Sequence, residues 1–95
     1  MVKIVDNNIW RGRQKIGWFY GDDIVNMSKK KIGHFKEGLG DVFGVRGRKV
    51  GYIRGNEFIV VTDGKSIRLD EIRKDVVGGS ATDLARAAVW LLLGS

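Results

Sequence analysis

The chain has 95 residues, which is enough for one domain and too few for two domains with separate hydrophobic cores. It contains 14 glycines, no proline and no cysteine, and its 17 Lys and Arg residues outnumber its 11 Asp and Glu residues, for a formal net charge of +6. The missing cysteines exclude a disulfide framework, a thiolate nucleophile and a zinc site of the cysteine type. Because 43% of the residues are hydrophobic, the chain can bury enough surface to fold.

The N-terminal residues 1–6 contain no apolar stretch of the length that a secretory signal needs. The longest apolar run, residues 87–93, is seven residues long, whereas a membrane-spanning helix needs about 20. We therefore expect no transmembrane segment and a cytoplasmic location.

A short motif recurs through residues 4–70: Lys, a β-branched residue, Gly, a ring and a large apolar residue. Its three copies lie at 15–19, 31–35 and 49–53, with glycines 16 and then 18 residues apart. A degraded fourth copy fits at 66–69, where Arg68 takes the glycine position. Since each copy follows a turn and another apolar pair, the repeating unit is predicted to be a β-hairpin, present four times.

The glycine inside the second strand of each hairpin is informative, because glycine weakens a strand interior. Gly17, Gly33 and Gly51 at one register therefore predict a close approach of another backbone or ring, or a sharp bend. A single hairpin of this size is not stable alone, so the four must pack on one another. We predict a mainly β fold, with four β-hairpin repeats in a pseudo-fourfold ring or barrel-like arrangement plus one C-terminal α-helix.

The character of the sequence changes after residue 69. We predict one domain over 1–95, in which the hairpins span 4–70, a charged, glycine-containing connector spans 71–79, and an apolar helix spans 80–93 behind a capping box that begins at Ser80. This helix is apolar on nearly all sides, so we expect it to be buried on more than one side, against the hairpins and against a second copy of the chain. The residues assigned to this core or oligomer surface are Leu84, Ala87, Ala88, Trp90, Leu91, Leu92 and Leu93.

The run of β-branched-Gly-ring hairpins, followed by Gly78, Gly79 and an Ala/Leu-rich helix, resembles the small bacterial four-fold β-flower proteins. The resemblance covers residues 4–93 and comes from repetition of short motifs. It implies four hairpin petals around a pseudo-fourfold axis with a terminal helix. That family has no settled activity, so the resemblance implies no catalytic residue. Arg68, at the fourth glycine position, departs from the pattern.

The cations concentrate at the predicted hairpin tips and second-strand starts, which hold 11 of the 17. If the hairpins obey a common rotation, these side chains form one basic rim that attracts nucleic acid, nucleotides or acidic protein surfaces. The alternative is that they only solubilise the protein and block edge-to-edge aggregation. The candidate anion-binding residues are Arg11, Arg13, Lys15, Lys29, Lys30, Lys31, Arg46, Arg48, Lys49, Lys65 and Arg68.

The ring position of the repeat is a second candidate site, held by Trp18, His34 and Tyr52, with Leu69 in the fourth copy. We expect it to pack in the core or between subunits, and the alternative is a stacking platform for bases beside the basic rim. His34 is the only histidine, so a metal cluster of histidines and a paired-histidine mechanism are both excluded. We interpret it as a filler of the ring position and expect no metal and no cofactor.

Taken together, these patterns predict a non-enzymatic, self-associating β-repeat module that presents a basic rim to an anionic partner such as nucleic acid or another polyanion. Two alternatives stay open. One is a protein–protein interaction or structural domain whose C-terminal helix docks a partner, and the other is a protein that sequesters a small anion or nucleotide.

Overall fold

Ten strands and two helices make up the fold in a computed structural model that describes residues 1–94; Ser95, the last residue of the predicted domain, lies outside the described residues. The strands are β1 (Val2–Val5), β2 (Asn8–Arg11), β3 (Gln14–Tyr20), β4 (Asp23–Asn26), β5 (Lys31–Lys36), β6 (Asp41–Gly44), β7 (Lys49–Arg54), β8 (Glu57–Val60), β9 (Ser66–Arg68) and β10 (Val76–Val77). The helices are α1 (Leu69–Asp75) and α2 (Asp83–Leu92). The fold is mainly β, as predicted.

All ten strands belong to one sheet in the order β10-β1-β2-β3-β4-β5-β6-β7-β8-β9. Strands β1 to β9 form an antiparallel meander, and β10 pairs parallel to β1. Ten flat strands would be roughly 43 Å wide, but the longest dimension of the molecule is 31 Å, so the sheet is strongly curled. Within residues 1–94 the edge strands β9 and β10 do not pair with each other. Helix α1 joins them directly, and a seven-residue helix spans only roughly 10 Å.

Helix α2 lies on the concave face of the curled sheet. Its side chains Leu84, Ala87 and Ala88 are almost completely buried, and it contacts β5, β6, β7, β10 and α1. The sheet supplies large apolar residues at one repeated register position, the partner of the second-strand glycine. These residues are Ile9, Ile24, Val42 and, in the fourth hairpin, Phe58, and all four are fully buried.

The second-strand glycines confirm the predicted close approach. A Cβ on Gly33 would lie 2.5 Å from the carbonyl oxygen of Phe43 and 2.6 Å from a methyl carbon of Leu92, and one on Gly51 would overlap the ring of Phe58. Each glycine follows a bulged residue that has no partner on the first strand, such as Ile32 between the paired Lys31 and Gly33. Equal register shifts occur in the first three hairpins.

The fourth hairpin lacks this bulge, and the prediction for it is wrong by one residue. Phe58 pairs with Ile67 and Glu57 pairs with Arg68, with no shift of register. Ile67 therefore takes the glycine position, and Arg68 takes the ring position that had been assigned to Leu69. Leu69 instead points to the core, where it is 7% exposed.

Two further predictions about the C-terminal part are corrected. Most of the segment predicted as a charged connector is helix α1 followed by strand β10, because Leu69, Ile72 and Val76 present a buried apolar stripe. Helix α2 begins at Asp83 rather than near Ser80. Its N-cap is Thr82, whose hydroxyl accepts a hydrogen bond from the Ala85 amide at 3.0 Å.

Candidate functional site

The two ends of the curled sheet differ in charge. Because the strands alternate in direction, every second turn lies at the same end. We call residues 11–13, 27–30, 45–48 and 61–65 the tip end, since they comprise the turns of the four hairpins together with Arg11, the last residue of β2. The opposite end consists of the turns at 6–7, 21–22, 37–40 and 55–56.

The tip end carries the whole net charge of the chain. It holds seven of the 17 cations and one of the 11 carboxylates, Asp63, so that the remaining ten cations and ten carboxylates balance. The sheet therefore gathers the predicted tip cations at one end. All seven tip-end cations are exposed, and they are Arg11, Arg13, Lys29, Lys30, Arg46, Arg48 and Lys65.

Four of the eleven predicted anion-binding residues lie instead on the convex face of the sheet, away from α2, which we call the outer wall. Three of them have acidic partners. The Lys31 and Asp23 side chains are 3.2 Å apart, those of Lys49 and Asp41 are 3.7 Å apart, and Arg68 lies 3.2 Å from Asp70. The fourth residue, Lys15, lies over the ring of Trp18, 5.2 Å from its centroid. Because Lys31, Lys49 and Arg68 each have a carboxylate nearby, these three are weaker anion-binding candidates than the tip-end cations.

Arg11 also has a structural partner. Its guanidinium donates to the carbonyl oxygens of Leu93 at 3.0 Å and Gly94 at 3.3 Å, just past the C-terminus of α2. Carbonyl groups at a helix C-terminus lack intrahelical donors, and a cation there is favourable. Arg11 therefore fastens α2 to the tip end. The other six tip-end cations form no ion pair with a carboxylate in residues 1–94.

The tip-end turns are held by their own hydrogen bonds. The Asn26 side chain accepts from the amides of Ser28 at 2.9 Å and Lys30 at 3.1 Å, and Asp63 accepts from the Lys65 amide at 2.9 Å. Such turns position their lysines without help from a ligand. Gly47, with a φ of 81°, supplies the left-handed conformation in the third turn.

Three exposed aliphatic side chains stand among these cations, and the sequence reasoning missed them. Met27 is 53% exposed, Val45 is 65% exposed and Val61 is 45% exposed, each in a different tip-end turn. Their signal in the sequence is an apolar residue inside a polar turn, one to four residues before a Lys or Arg.

The ring position faces away from α2, so the expectation that it packs in the core is wrong, and the other expectation, packing between subunits, stays a prediction. Trp18, His34 and Tyr52 are half-buried on the outer wall. The Lys49 ammonium lies 5.1 Å from the centroid of Tyr52, as Lys15 does over Trp18.

The lone histidine is part of this wall. The His34 ring stacks on Phe43, with centroids 4.9 Å apart and an angle of 16° between the planes. Burial, with a contribution from the Lys31 ammonium, lowers the pKa of His34 below its usual value. The ring therefore favours its neutral form.

The apolar face of α2 is mostly used within the chain. Ala87 is fully buried, Leu92 packs over Gly33, and Leu93 packs over Gly17. Trp90 meets Phe58 edge-on, with centroids 6.4 Å apart. Of the residues predicted for an oligomer surface on this helix, Trp90 and Leu91 line a groove of about 410 Å³ together with Val60, Asp63, Lys65, Ser66 and Ile67.

A second cavity, of about 240 Å³, lies at the opposite end, between Ile4, the rings of Phe19 and Phe35, and the start of α2. The Thr82 hydroxyl donates to Glu37 at 2.6 Å on its rim. Within residues 1–94 no three His, Cys, Asp or Glu side chains gather into a group that could hold a metal ion.

The chain matches no known family model, and it shows no significant similarity to curated proteins or to solved structures. The resemblance to the β-flower proteins stays a prediction. Among the described residues, neither helix is long and apolar enough to cross a membrane.

Proposed function

We propose that this chain is a non-enzymatic module that holds a polyanionic partner at the tip end of its curled sheet. The observation that supports the proposal most strongly is the placement of the charge: the net +6 coincides with four turns at one end. Six exposed cations there have no carboxylate partner in the described part of the chain. Surface cations that serve only solubility can be interspersed with anions over the whole surface.

The physical reason for binding is electrostatic. Cations in neighbouring turns, such as Lys29, Lys30, Arg46 and Arg48, repel one another, and a polyanion that spans the turns relieves this repulsion. Salt screens such charges over about 8 Å at physiological ionic strength, so the interaction requires direct contact and weakens as salt is added. Because the turns are already ordered by their own hydrogen bonds, binding costs little backbone entropy.

Two variants with the same net charge test the placement. In the tip variant, Arg13, Arg46 and Arg48 are changed to Gln, and in the wall variant Lys31, Lys49 and Arg68 are changed to Gln. Arg11 is left intact because it fastens α2. Retention on immobilised heparin is measured as a function of salt.

We expect the tip variant to elute at much lower salt than the unchanged chain and the wall variant to elute close to it. If both variants lost retention equally, the binding would depend on net charge alone and not on its placement. Retention that does not change with salt concentration would contradict the proposal. Binding of mononucleotides with no preference for a polymer would instead favour the alternative of a small-anion or nucleotide sequestering protein.

Self-association is a second part of the proposal, now limited to the groove beside the edge strand β9. Its support is the half-exposed pair Trp90 and Leu91 next to Ile67. Light scattering tests it, and a 10.6 kDa monomer at micromolar concentration would contradict it. For docking of another protein through α2, the remaining alternative, the same groove is a candidate surface, because Leu84, Ala87 and Ala88 are buried within the chain.

We also propose that the four hairpins are related by an approximate fourfold rotation, as the β-flower resemblance implies. The equal bulges of the first three hairpins support this, whereas the missing bulge makes the fourth hairpin unequal. Superposition of the hairpins in an experimental structure tests the relation: unequal rotations among the first three would contradict it.

A further inference from the structure

Three aliphatic side chains project from the same turns as the unpaired cations. Met27 precedes Lys29 and Lys30, Val45 precedes Arg46 and Arg48, and Val61 precedes Lys65. The first turn carries Arg11 and Arg13 around Gly12 and no apolar residue. Exposed fractions of 45% to 65% mean that these three side chains are not used by the core.

An apolar residue exposed next to cations is the pattern of a protein that lies on an anionic membrane surface. Lys and Arg meet the anionic headgroups, while adjacent apolar side chains enter the boundary between headgroups and acyl chains. The groove lined by Trp90 and Leu91 reaches the same end, at Asp63 and Lys65.

The opposite end of the sheet also exposes apolar side chains, but its turns contain carboxylates and no cations. Three exposed apolar side chains lie in its turns or directly before them: Leu39, and Val5 and Tyr20 at the ends of β1 and β3, with exposed fractions of 65%, 42% and 75%. Their turns contain carboxylates, Asp6, Asp22 and Glu37 among them. Only the tip end therefore combines insertable side chains with a surplus of positive charge.

A nucleic acid is a poorer match for this end. Proteins that hold single strands stack bases on aromatic side chains, and the tip-end residues 11–13, 27–30, 45–48 and 61–65 include no Phe, Tyr, Trp or His. The ring position lies on the outer wall, where lysines already cover the rings of Trp18 and Tyr52. Aliphatic side chains gain nothing from a phosphate backbone but gain from a bilayer interface.

We propose that the anionic partner is the surface of a lipid bilayer rich in anionic headgroups, and that Met27, Val45 and Val61 enter it while the tip-end cations meet the headgroups. This inference rests on the proposed function, because it names the partner of the same basic end. The chain would then attach to the bilayer surface through the four tip-end turns, without spanning the bilayer.

The test compares phosphatidylcholine vesicles with and without phosphatidylserine, by co-sedimentation of the full chain. The insertion variant changes Met27, Val45 and Val61 to Ser, which leaves the charge intact. The matched control changes Val5, Tyr20 and Leu39 to Ser at the opposite end. All six side chains are exposed, so both variants are expected to have a Tm near that of the unchanged chain. If the triple insertion variant is unstable, Val45→Ser alone replaces it in the vesicle assay.

We expect binding only to vesicles that contain phosphatidylserine. The insertion variant should bind them at least about tenfold more weakly, since burying one aliphatic side chain contributes about that factor or more, while its retention on heparin is unchanged. The opposite-end control should bind as the unchanged chain does.

The outcomes separate the two proposals. A chain that binds neither heparin nor anionic vesicles overturns the proposed function itself. Salt-dependent heparin binding without vesicle binding, or equal vesicle binding by the insertion variant, overturns only the bilayer inference. Tighter binding to single-stranded DNA than to vesicles, unchanged in the insertion variant, would assign the tip end to nucleic acid instead.

Discussion

Substitution of Gly33 by Ala tests the close approach of strand β6 and helix α2 to this glycine. The added methyl group would lie 2.5 Å from the carbonyl oxygen of Phe43 and 2.6 Å from a methyl carbon of Leu92. The Leu92 side chain can rotate, but the carbonyl is part of the β5–β6 ladder and can move only with its strand. Overpacking of this kind costs about 1–3 kcal/mol.

The matched control is Gly38→Ala in an exposed turn. A methyl group there meets nothing within 4 Å, and the backbone is not in the left-handed region. Loss of glycine freedom in the unfolded chain is the same in both variants, so their difference isolates the steric effect.

Thermal and urea unfolding followed by circular dichroism measure this difference. For a chain of this size a loss of about 2 kcal/mol lowers Tm by roughly 8–16 °C. We expect Gly33→Ala to melt lower than Gly38→Ala by an amount in or near this range. Equal stability of the two variants would refute the inferred close packing at Gly33.

Two further predictions concern the start of α2. Thr82→Ala should lower the free energy of unfolding by about 1 kcal/mol because it removes the N-cap, whereas Ser80→Ala should leave it unchanged; the reverse would restore Ser80 as the cap. Asp83→Asn should destabilise the chain at neutral pH, because hydrogen bonds from Arg73 at 2.6 and 2.8 Å lower the pKa of Asp83. Since that pKa lies below the unfolded value of about 3.9, the stabilisation is present above this pH and is lost as the pH falls through the folded-state pKa. Melting curves from pH 2 to 7 should converge for the two chains at low pH, and a constant gap would contradict the ion pair.

The hairpins could be predicted because their signals are local. The repeated Lys, β-branched residue, Gly and ring define the second strands, and turn glycines such as Gly47 mark where the chain reverses. The missing bulge of the fourth hairpin was not predicted, because one absent residue between Ser66 and Ile67 shows only in strand pairing.

The C-terminal part depends on contacts that the sequence does not reveal. Ser80 and Thr82 both fit an N-cap, and the structure favours Thr82, which also contacts Glu37 from a distant turn. The apolar spacing of Leu69, Ile72 and Val76 is typical of a helix such as α1. The charged residues between them favoured the interpretation as a connector instead.

The concentration of cations at the tip end could be predicted from the sequence. Which cations have acidic or carbonyl partners could not. Lys31 and Lys49 have acidic partners on the neighbouring strand, which appear only once the register is known. Arg11 contacts the end of α2, 82 residues away along the chain.

The proposed polyanion site at the tip end is tested most directly by mapping where a polyanion touches the protein. Amide chemical shifts of ¹⁵N-labelled chain are recorded while heparin is added. We expect the largest shifts in residues 11–13, 27–30, 45–48 and 61–65, and we expect them to vanish at high salt. Shifts centred on the opposite end, or on the outer wall around Lys31 and Lys49, would contradict the proposed site.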